Sequence, residues 1–399
     1  MNCYQKINDN LFYIGYGDKR LSLFEGIFPI PDGVSYNSYL LLDEKNVLFD
    51  CIDSSVENIF FENIENILNG RKLDYAILNH VEPDHAGSLK KLLKFYPEVT
   101  LVANDRTFNI LKRFNIVKDD TNFFSVNENT TFSSGKHTFS FIMAPMVHWP
   151  EVMFTYDHFS EKLFSADAFG SFGTLDGVLF PEENVFNKKY LSECRRYYSN
   201  IIGKYGAQVK TVLNKVSSLS VKTILPLHGP LLKDKNLALL LNKYKCWSDY
   251  LAEDINDILI IYTSVYGNTF NAVNILASEL YKHGAENINI IDASVTDVSY
   301  IVSECFRCKK IVFASTTYNM NLFPKMDNVL KELKEHGLMN RDVAVIENGS
   351  WAPQAGKIIT EYLTSMKNMN LVLSTVTIPS SVDNLTIKNL KELAEKLNG

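Results

Sequence analysis

The chain has 399 residues, of which 46% are hydrophobic and 22% charged, and it carries a formal net charge of −6. That length exceeds one ordinary core and predicts two or three domains of globular composition. The acidic balance, with no Lys/Arg block, excludes a nucleic-acid footprint, and no apolar run approaches the roughly 20 residues needed to span a bilayer.

The first 26 residues scatter Lys6, Asp9, Asp18, Lys19 and Arg20 through the segment, so no signal peptide is expected. Six cysteines, at 3, 51, 194, 246, 305 and 308, make no disulfide framework for a chain this long. A reducing, cytoplasmic setting follows.

Short β runs open the chain. Residues 36–42 and 46–50 flank the polar turn Asp43-Glu44-Lys45 and predict a hairpin. Apolar residues from Val56 to Leu68 recur at helical spacing, with Ser55 as N-cap and Gly70 as the stop. The apolar run Tyr75-Ala76-Ile77-Leu78 then delivers the chain into Asn79-His80-Val81-Glu82-Pro83-Asp84-His85-Ala86-Gly87, and Leu89–Phe95 follows as a helix. Three further apolar strands finish on a potential ligand: 139–144 runs to His148, 162–166 to Asp167, and 223–227 to His228. One such histidine is more often a hydrogen-bonded structural residue. Four strands ending alike, at what reads as one edge of a sheet, gather chemistry on a rigid scaffold. His137, His158, His283 and His336 lie in polar or helix-end surroundings and carry no expected function.

His80-x-Glu82 points both side chains one way along extended chain, and Asp84 and His85 face a second position after the turn. Adding His148 to the first set and His228 to the second gives two histidines and one carboxylate per metal, with Asp167 between them as a bridge. Two-His-one-carboxylate sites with open positions suit non-haem Fe(II), while zinc also binds imidazole and carboxylate well. The rest of the chain decides between them.

Residues 236–251 read as a helix and 253–256 as a linker, giving domains at 1–252 and 257–399. Five apolar strands (258–262, 288–291, 310–314, 343–346, 371–376) then alternate with five helices, the pattern of a doubly wound α/β domain with a five-stranded parallel sheet. The first strand runs into Thr263-Ser264-Val265-Tyr266-Gly267-Asn268-Thr269 and a helix. Hydroxyl and amide groups at a helix N-terminus hold a phosphate, and without Lys or Arg the loop suits a single terminal one. Ser315-Thr316-Thr317-Tyr318-Asn319 and Asn348-Gly349-Ser350-Trp351 add small polar groups and aromatic planes at later strand ends, where a flat heteroaromatic ring would lie. FMN is the economical ligand. Cys305-Phe306-Arg307-Cys308 is a lone CxxC ending a helix, read as packing rather than redox chemistry.

Taken together, His80-x-Glu82-x-Asp84-His85, His148-Trp149-Pro150, Asp167-Ala168-Phe169-Gly170, His228-Gly229-Pro230 and the TSVYGNT loop resemble the flavodiiron proteins, over nearly the whole chain. The resemblance implies a metallo-β-lactamase-like αββα sandwich followed by a flavodoxin-like domain. It implies two irons, one on His80, Glu82 and His148, the other on Asp84, His85 and His228, with Asp167 bridging. It also implies reduction of O2 to water, of NO to N2O, or of both. Related hydrolases usually carry histidine at the Glu82 position, which favours iron here. Implied partners are a rubredoxin or flavoreductase donor and a second copy in a head-to-tail homodimer or a homotetramer. The third flavin loop departs from the family's usual Gly-Ser-Tyr-Gly-Trp-like run, and Leu23-Phe24-Glu25-Gly26 stands where some members place a pocket histidine. Two other readings are a metal-dependent hydrolase with an appended flavodoxin domain and an electron carrier whose first half is structural.

Overall fold

The computed structural model describes residues 3–398, which divide between Lys245 and Cys246 into two compact units. Among the described residues no helix is long and apolar enough to cross a membrane.

In the first unit a seven-stranded sheet runs Gln5–Lys6, Leu11–Tyr13, Tyr39–Leu41, Val47–Phe49, Tyr75–Ile77, Thr100–Ala103 and Phe123–Ser125 in spatial order. A six-stranded sheet runs Thr131–Ser133, Thr138–Met143, Met153–Asp157, Lys162–Phe164, Thr223–Leu225 and Leu232–Lys233. Phe49 of the first sheet stacks on Phe164 of the second at 3.7 Å between ring centroids, and Phe139 and Tyr39 pack edge-on beside them. Aromatic residues thus fill the space between two facing sheets. Strands such as Val47–Phe49 and Met153–Asp157 are buried at every position, so their outer faces are covered too, and the helices of the unit do this.

The four strands that lead to candidate ligands therefore do not share one sheet. Tyr75–Ile77 belongs to the first, and Thr138–Met143, Lys162–Phe164 and Thr223–Leu225 to the second. Their loops meet at a common end of the sandwich, which sequence alternation alone does not distinguish from one sheet edge. Other corrections are local. Residues 36–42 break into Val34–Tyr36 and Tyr39–Leu41, which pair with different sheets. A one-turn 3-10 segment, Ser54–Val56, capped by Asp53, precedes Glu57–Leu68, and left-handed Asn69 rather than Gly70 ends that helix.

The second unit is a parallel sheet in the order Ile288–Asp292, Asp254–Tyr262, Cys308–Tyr318, Arg341–Asn348, then the short pair Met369–Leu371 and Val376–Ile378. The predicted strand 371–376 is thus two fragments, and the predicted linker overlaps a strand that already begins at Asp254. Ile258, Ile260, Val312, Ala314, Ala344 and Ile346 pack on Val273, Leu276, Leu280, Leu390, Leu393 and Leu397 of helices Asn268–Lys282 and Asn384–Asn398. The intervening residues Leu259, Ile261, Ile311, Phe313, Val343 and Val345 are equally buried on the other face. A sheet apolar on both faces needs helices on both. Cys305 lies in helix Val298–Arg307 but Cys308 opens the next strand, so the CxxC spans a helix-to-strand junction, both thiols buried.

Candidate metal centre and flavin loops

Asp50 organises the loop that carries the first four ligand candidates. It follows strand Val47–Phe49 with a left-handed backbone, φ 55°. Its carboxylate accepts from the backbone N–H of Asn79 (2.7 Å) and His80 (3.1 Å) and from Nδ2 of Asn79 (2.7 Å). Burial pushes this carboxyl up to about 6 against those hydrogen bonds. Glu82 is the residue before the one-turn helix Pro83–Ala86, its side chain left free of the helix end, and Pro at the first helical position suits the turn. This places Asp84 and His85 round a corner from His80 and Glu82.

Two clusters result. In the first, Oε2 of Glu82 lies 3.2 Å from Nε2 of His80 and 3.0 Å from Nε2 of His148. In the second, Oδ2 of Asp84 lies 3.4 Å from Nε2 of His85 and 3.2 Å from Nε2 of His228. Asp167 divides itself between them: Oδ2 is 3.0 Å from His148 and 3.6 Å from His80, whereas Oδ1 is 3.0 Å from His85 and 3.8 Å from His228. In each cluster one ligand atom per residue lies within 4.8 Å of every other. All seven sequence-predicted residues meet here.

These donors fit metal ions better than they fit one another. Both oxygens of Asp84, both ring nitrogens of His85, Oδ1 of Asp167 and Nε2 of His228 are buried with no hydrogen-bond partner among the described residues. Buried polar atoms so orphaned are costly unless something satisfies them, and imidazole plus carboxylate is the donor set of non-haem iron or zinc. Burial opposes charge on His80 and His148, yet Asp167, Glu82 and, for His80, Glu151 overcome it, raising His80 well above its ordinary value and His148 to about 9. The site is built to hold positive charge.

Three contributors escaped the sequence reading. Glu151, three residues past His148 and 1% exposed, accepts from Nδ1 of His80 at 2.8 Å and from the backbone N–H of Val81 at 3.2 Å. Nδ1 of His228 likewise donates to the Ser35 carbonyl at 2.7 Å. Tyr197 is fully buried, its ring 5.6 Å from that of His228, and its hydroxyl has no partner among the described residues. Burial, reinforced by the charges of Asp167, Asp84 and Glu82, keeps that hydroxyl protonated. The signal available for Glu151 was its place directly after His148-Trp149-Pro150; for Tyr197 there was none.

The exposed side of the clusters is marked by Glu82, Asp84 and His148, which are 11–15% exposed while the other members are at most 2%. Glu25, at the tip of the hairpin Leu23–Phe24 and Phe28–Pro29, is exposed. His137 keeps polar partners, with Nδ1 2.7 Å from Asp157 and Nε2 2.8 Å from Asn10, and stands outside both clusters, but it is buried.

In the second unit, Gly267 has φ 87° and caps helix Asn268–Lys282, and Ser264 Oγ accepts its N–H at 3.1 Å. The turn carries Ser264, Tyr266, Gly267 and Asn268 outward while Thr263 and Thr269 are buried. Thr263 Oγ1 meets Ser315 Oγ at 2.8 Å, joining two strand ends beneath the crevice. Thr316, Thr317, Tyr318 and Asn319 line a cleft of about 340 Å³ with Met320 and with Asn348, Gly349, Ser350, Trp351 and Ala352. What the sequence offered as a loop at Tyr318 is a strand ending in a tight hairpin to Asn321–Leu322, with Asn319 and Met320 both left-handed. Thr317 Oγ1 is committed to capping, accepting from the N–H groups of Gln354 and Ala355. Trp351 is 88% exposed and Tyr266 93%, aromatic planes free to cover a ring. Outward N–H groups at a helix start beside such a cleft fit a phosphorylated flavin.

A fused pair of this kind, a metal-binding β-sandwich and a doubly wound sheet, is defined in known proteins. Residues 34–229 match the family model described as ODP family beta lactamase. The chain is 32% identical over 332 residues to the anaerobic nitric oxide reductase flavorubredoxin of Aliivibrio fischeri, covering 82% of this chain and 66% of that one. It is 28% identical to the nitric oxide reductase of Moorella thermoacetica, covering 90% of both. The rubredoxin oxygen:oxidoreductase from Desulfovibrio gigas shares the fold at a TM-score of 0.91 and 23% identity, over 99% of this chain and 98% of that one. The chain belongs to the flavodiiron protein family.

Proposed function

We propose that this chain is a flavodiiron oxidoreductase reducing O2 to water, NO to N2O, or both. In this reading residues 1–252 form the diiron domain and residues 257–399 the FMN domain. The carrying observation is Asp167, whose two oxygens face two separate two-His-one-carboxylate sets. His80, Glu82 and His148 would hold one iron, and Asp84, His85 and His228 the other. FMN would lie with its phosphate at Ser264–Thr269 and its ring between residues 316–319 and 348–351. Loaded, the two groups would supply the four electrons that take O2 to water, or the two that take a pair of NO molecules to N2O.

The protein's own part is holding and shielding. Glu151 and the Ser35 carbonyl fix the ring orientation of His80 and His228. Phe24, Phe172 and Tyr197 wall the second cluster with rings and keep bulk water out. The protonated Tyr197 hydroxyl is a hydrogen-bond donor for a small oxygen-bearing substrate.

The names of the relatives support both substrates and a rubredoxin donor; a separate flavoreductase would serve equally. Six unbridged cysteines support a reducing cytoplasm. A head-to-tail homodimer would bring flavin and iron sites of different copies together, and light scattering separates it from a tetramer. The deciding experiment is anaerobic reduction of the iron- and FMN-loaded protein, then separate challenge with O2 and NO. Reoxidation of the flavin with formation of water or N2O is expected. Zinc in the purified protein, hydrolysis of esters and no gas consumption would overturn the reading.

A further inference from the structure

The third flavin loop is closed by a side chain that does not itself line the cleft. Glu347 sits one residue before the end of strand Arg341–Asn348 and is 8% exposed, level with Ser315 on one neighbouring strand and Thr377 on the other. Its Oε2 accepts from the Gly356 N–H at 2.8 Å, and its Oε1 accepts from the Thr377 hydroxyl at 2.9 Å. The first of these bonds ties the strand end to the start of helix Ala355–Ser365. One carboxylate therefore bridges the two ends of the run Asn348–Ala352 that forms a wall of the cleft.

The approach is close. A side chain at Gly356 would meet the Glu347 carboxylate at 2.9 Å and the Thr375 methyl at 2.6 Å, so glycine lets the helix start come this near. Gln354 gives that helix no side-chain cap, and its first N–H groups are taken up from the sheet instead. Gln354 and Ala355 donate to Thr317 Oγ1, and Gly356 donates to Glu347. Thr317 belongs to the opposite wall of the cleft, so both walls are fastened to one helix start.

The carboxylate also brings charge. Its partners are an amide and a hydroxyl, not a cation, and the positive end of the helix faces it. Buried charge is screened far less than exposed charge. A ring held in this cleft gains electrons on reduction, and a fixed negative charge behind the wall opposes that gain.

We propose that Glu347 is a positioning residue for the flavin, holding the third loop in place while its charge lowers the reduction potential of the bound ring. The inference rests on the FMN reading above. Glutamine isolates the charge, because the Thr377 hydroxyl can accept as well as donate. The amide oxygen keeps the Gly356 N–H and the amide NH2 turns to Thr377, so both contacts survive. Alanine removes both contacts and the charge.

The test uses the iron- and FMN-loaded chain and needs no turnover. By fluorescence titration, Glu347→Gln is expected to bind oxidised FMN as the parent does. It is expected to hold reduced FMN about tenfold tighter relative to oxidised, a two-electron midpoint about 30 mV higher. Flavin absorption during anaerobic dithionite titration against a reference dye reads that shift. Glu347→Ala is expected to bind oxidised FMN about tenfold more weakly. A merely structural Glu347 would leave the glutamine variant at the parental potential, and that result would overturn the proposal. Parental FMN affinity in a folded alanine variant would overturn it too; if alanine prevents folding, the glutamine potential decides alone. A parent chain that binds no FMN would overturn the FMN reading and this proposal together.

Discussion

Glu151 holds the inner edge of His80: its Oε1 accepts from Nδ1 at 2.8 Å, which fixes the imidazole with Nε2 toward Glu82 and Asp167. The carboxylate is itself placed by the strand end, since Asn104 Nδ2 donates to the Glu151 carbonyl at 2.6 Å. A metal-facing histidine whose far nitrogen is bound is fixed in both tautomer and direction. Replacing Glu151 by Ala should therefore lower affinity for the first metal by about 10- to 100-fold, and Gln, which retains one acceptor, by less. Chelator competition measures both. Equal affinities in parent and Ala variant would show that His80 is positioned by packing alone.

Asp50 acts one step further out. Its two oxygens gather three N–H donors from Asn79 and His80, so the loop enters the site at a fixed angle. Asp50→Asn is a clean probe because asparagine accepts the left-handed backbone at φ 55°. The amide would turn an NH2 toward a donor and leave one N–H unpaired in the core, a loss of about 1–3 kcal/mol. We expect a lower unfolding midpoint in denaturant and weaker retention of both metals. A variant with parental stability but lost metal would separate the two roles.

The ligands were legible because each follows an apolar strand within a few residues, and metal-competent side chains are few and chemically distinct. The five-strand, five-helix alternation of the second unit was legible for the same reason: it is local. What stayed hidden depends on distant chain segments meeting. Nothing in the run around Tyr197 announces that its ring will lie against His228, 31 residues later in sequence. Alternation also cannot assign a strand to one of two stacked sheets, which is why the four ligand strands read as one sheet edge. The polar surroundings of His137 were legible from its sequence neighbours; that it is buried together with Asp157, far along the chain, was not.

The flavin turn offers a backbone test. Gly267 sits at φ 87°, with open space where a side chain would point, so Gly267→Ala fails by conformation and not by collision. The left-handed strain costs about 1–2 kcal/mol, and the turn relaxes away from the geometry that aims its N–H groups. The expected result is FMN affinity about tenfold weaker, read by flavin fluorescence titration of the apoprotein, with iron content unchanged. Unaltered FMN binding would move the phosphate site elsewhere.

Asp157 supplies the pH dependence. Burial alone would raise its carboxyl, but hydrogen bonds from His137, Ser160 and the Phe159 N–H outweigh burial and hold it below the usual carboxylate value of 3.8. The folded value is thus depressed relative to the unfolded chain, so the stabilisation is complete above about pH 4 and drains away as pH falls through the folded value. Unfolding free energy of the parent should fall as pH drops below about 4, with Asp157 contributing part of the slope. Asp157→Asn, which leaves His137 facing an uncharged amide, should lower stability at pH 7 by about 1–3 kcal/mol and make the acid limb shallower. Denaturant titrations at pH 7, 4 and 2.5 compare the two slopes, and parallel slopes would assign the acid sensitivity to other carboxylates.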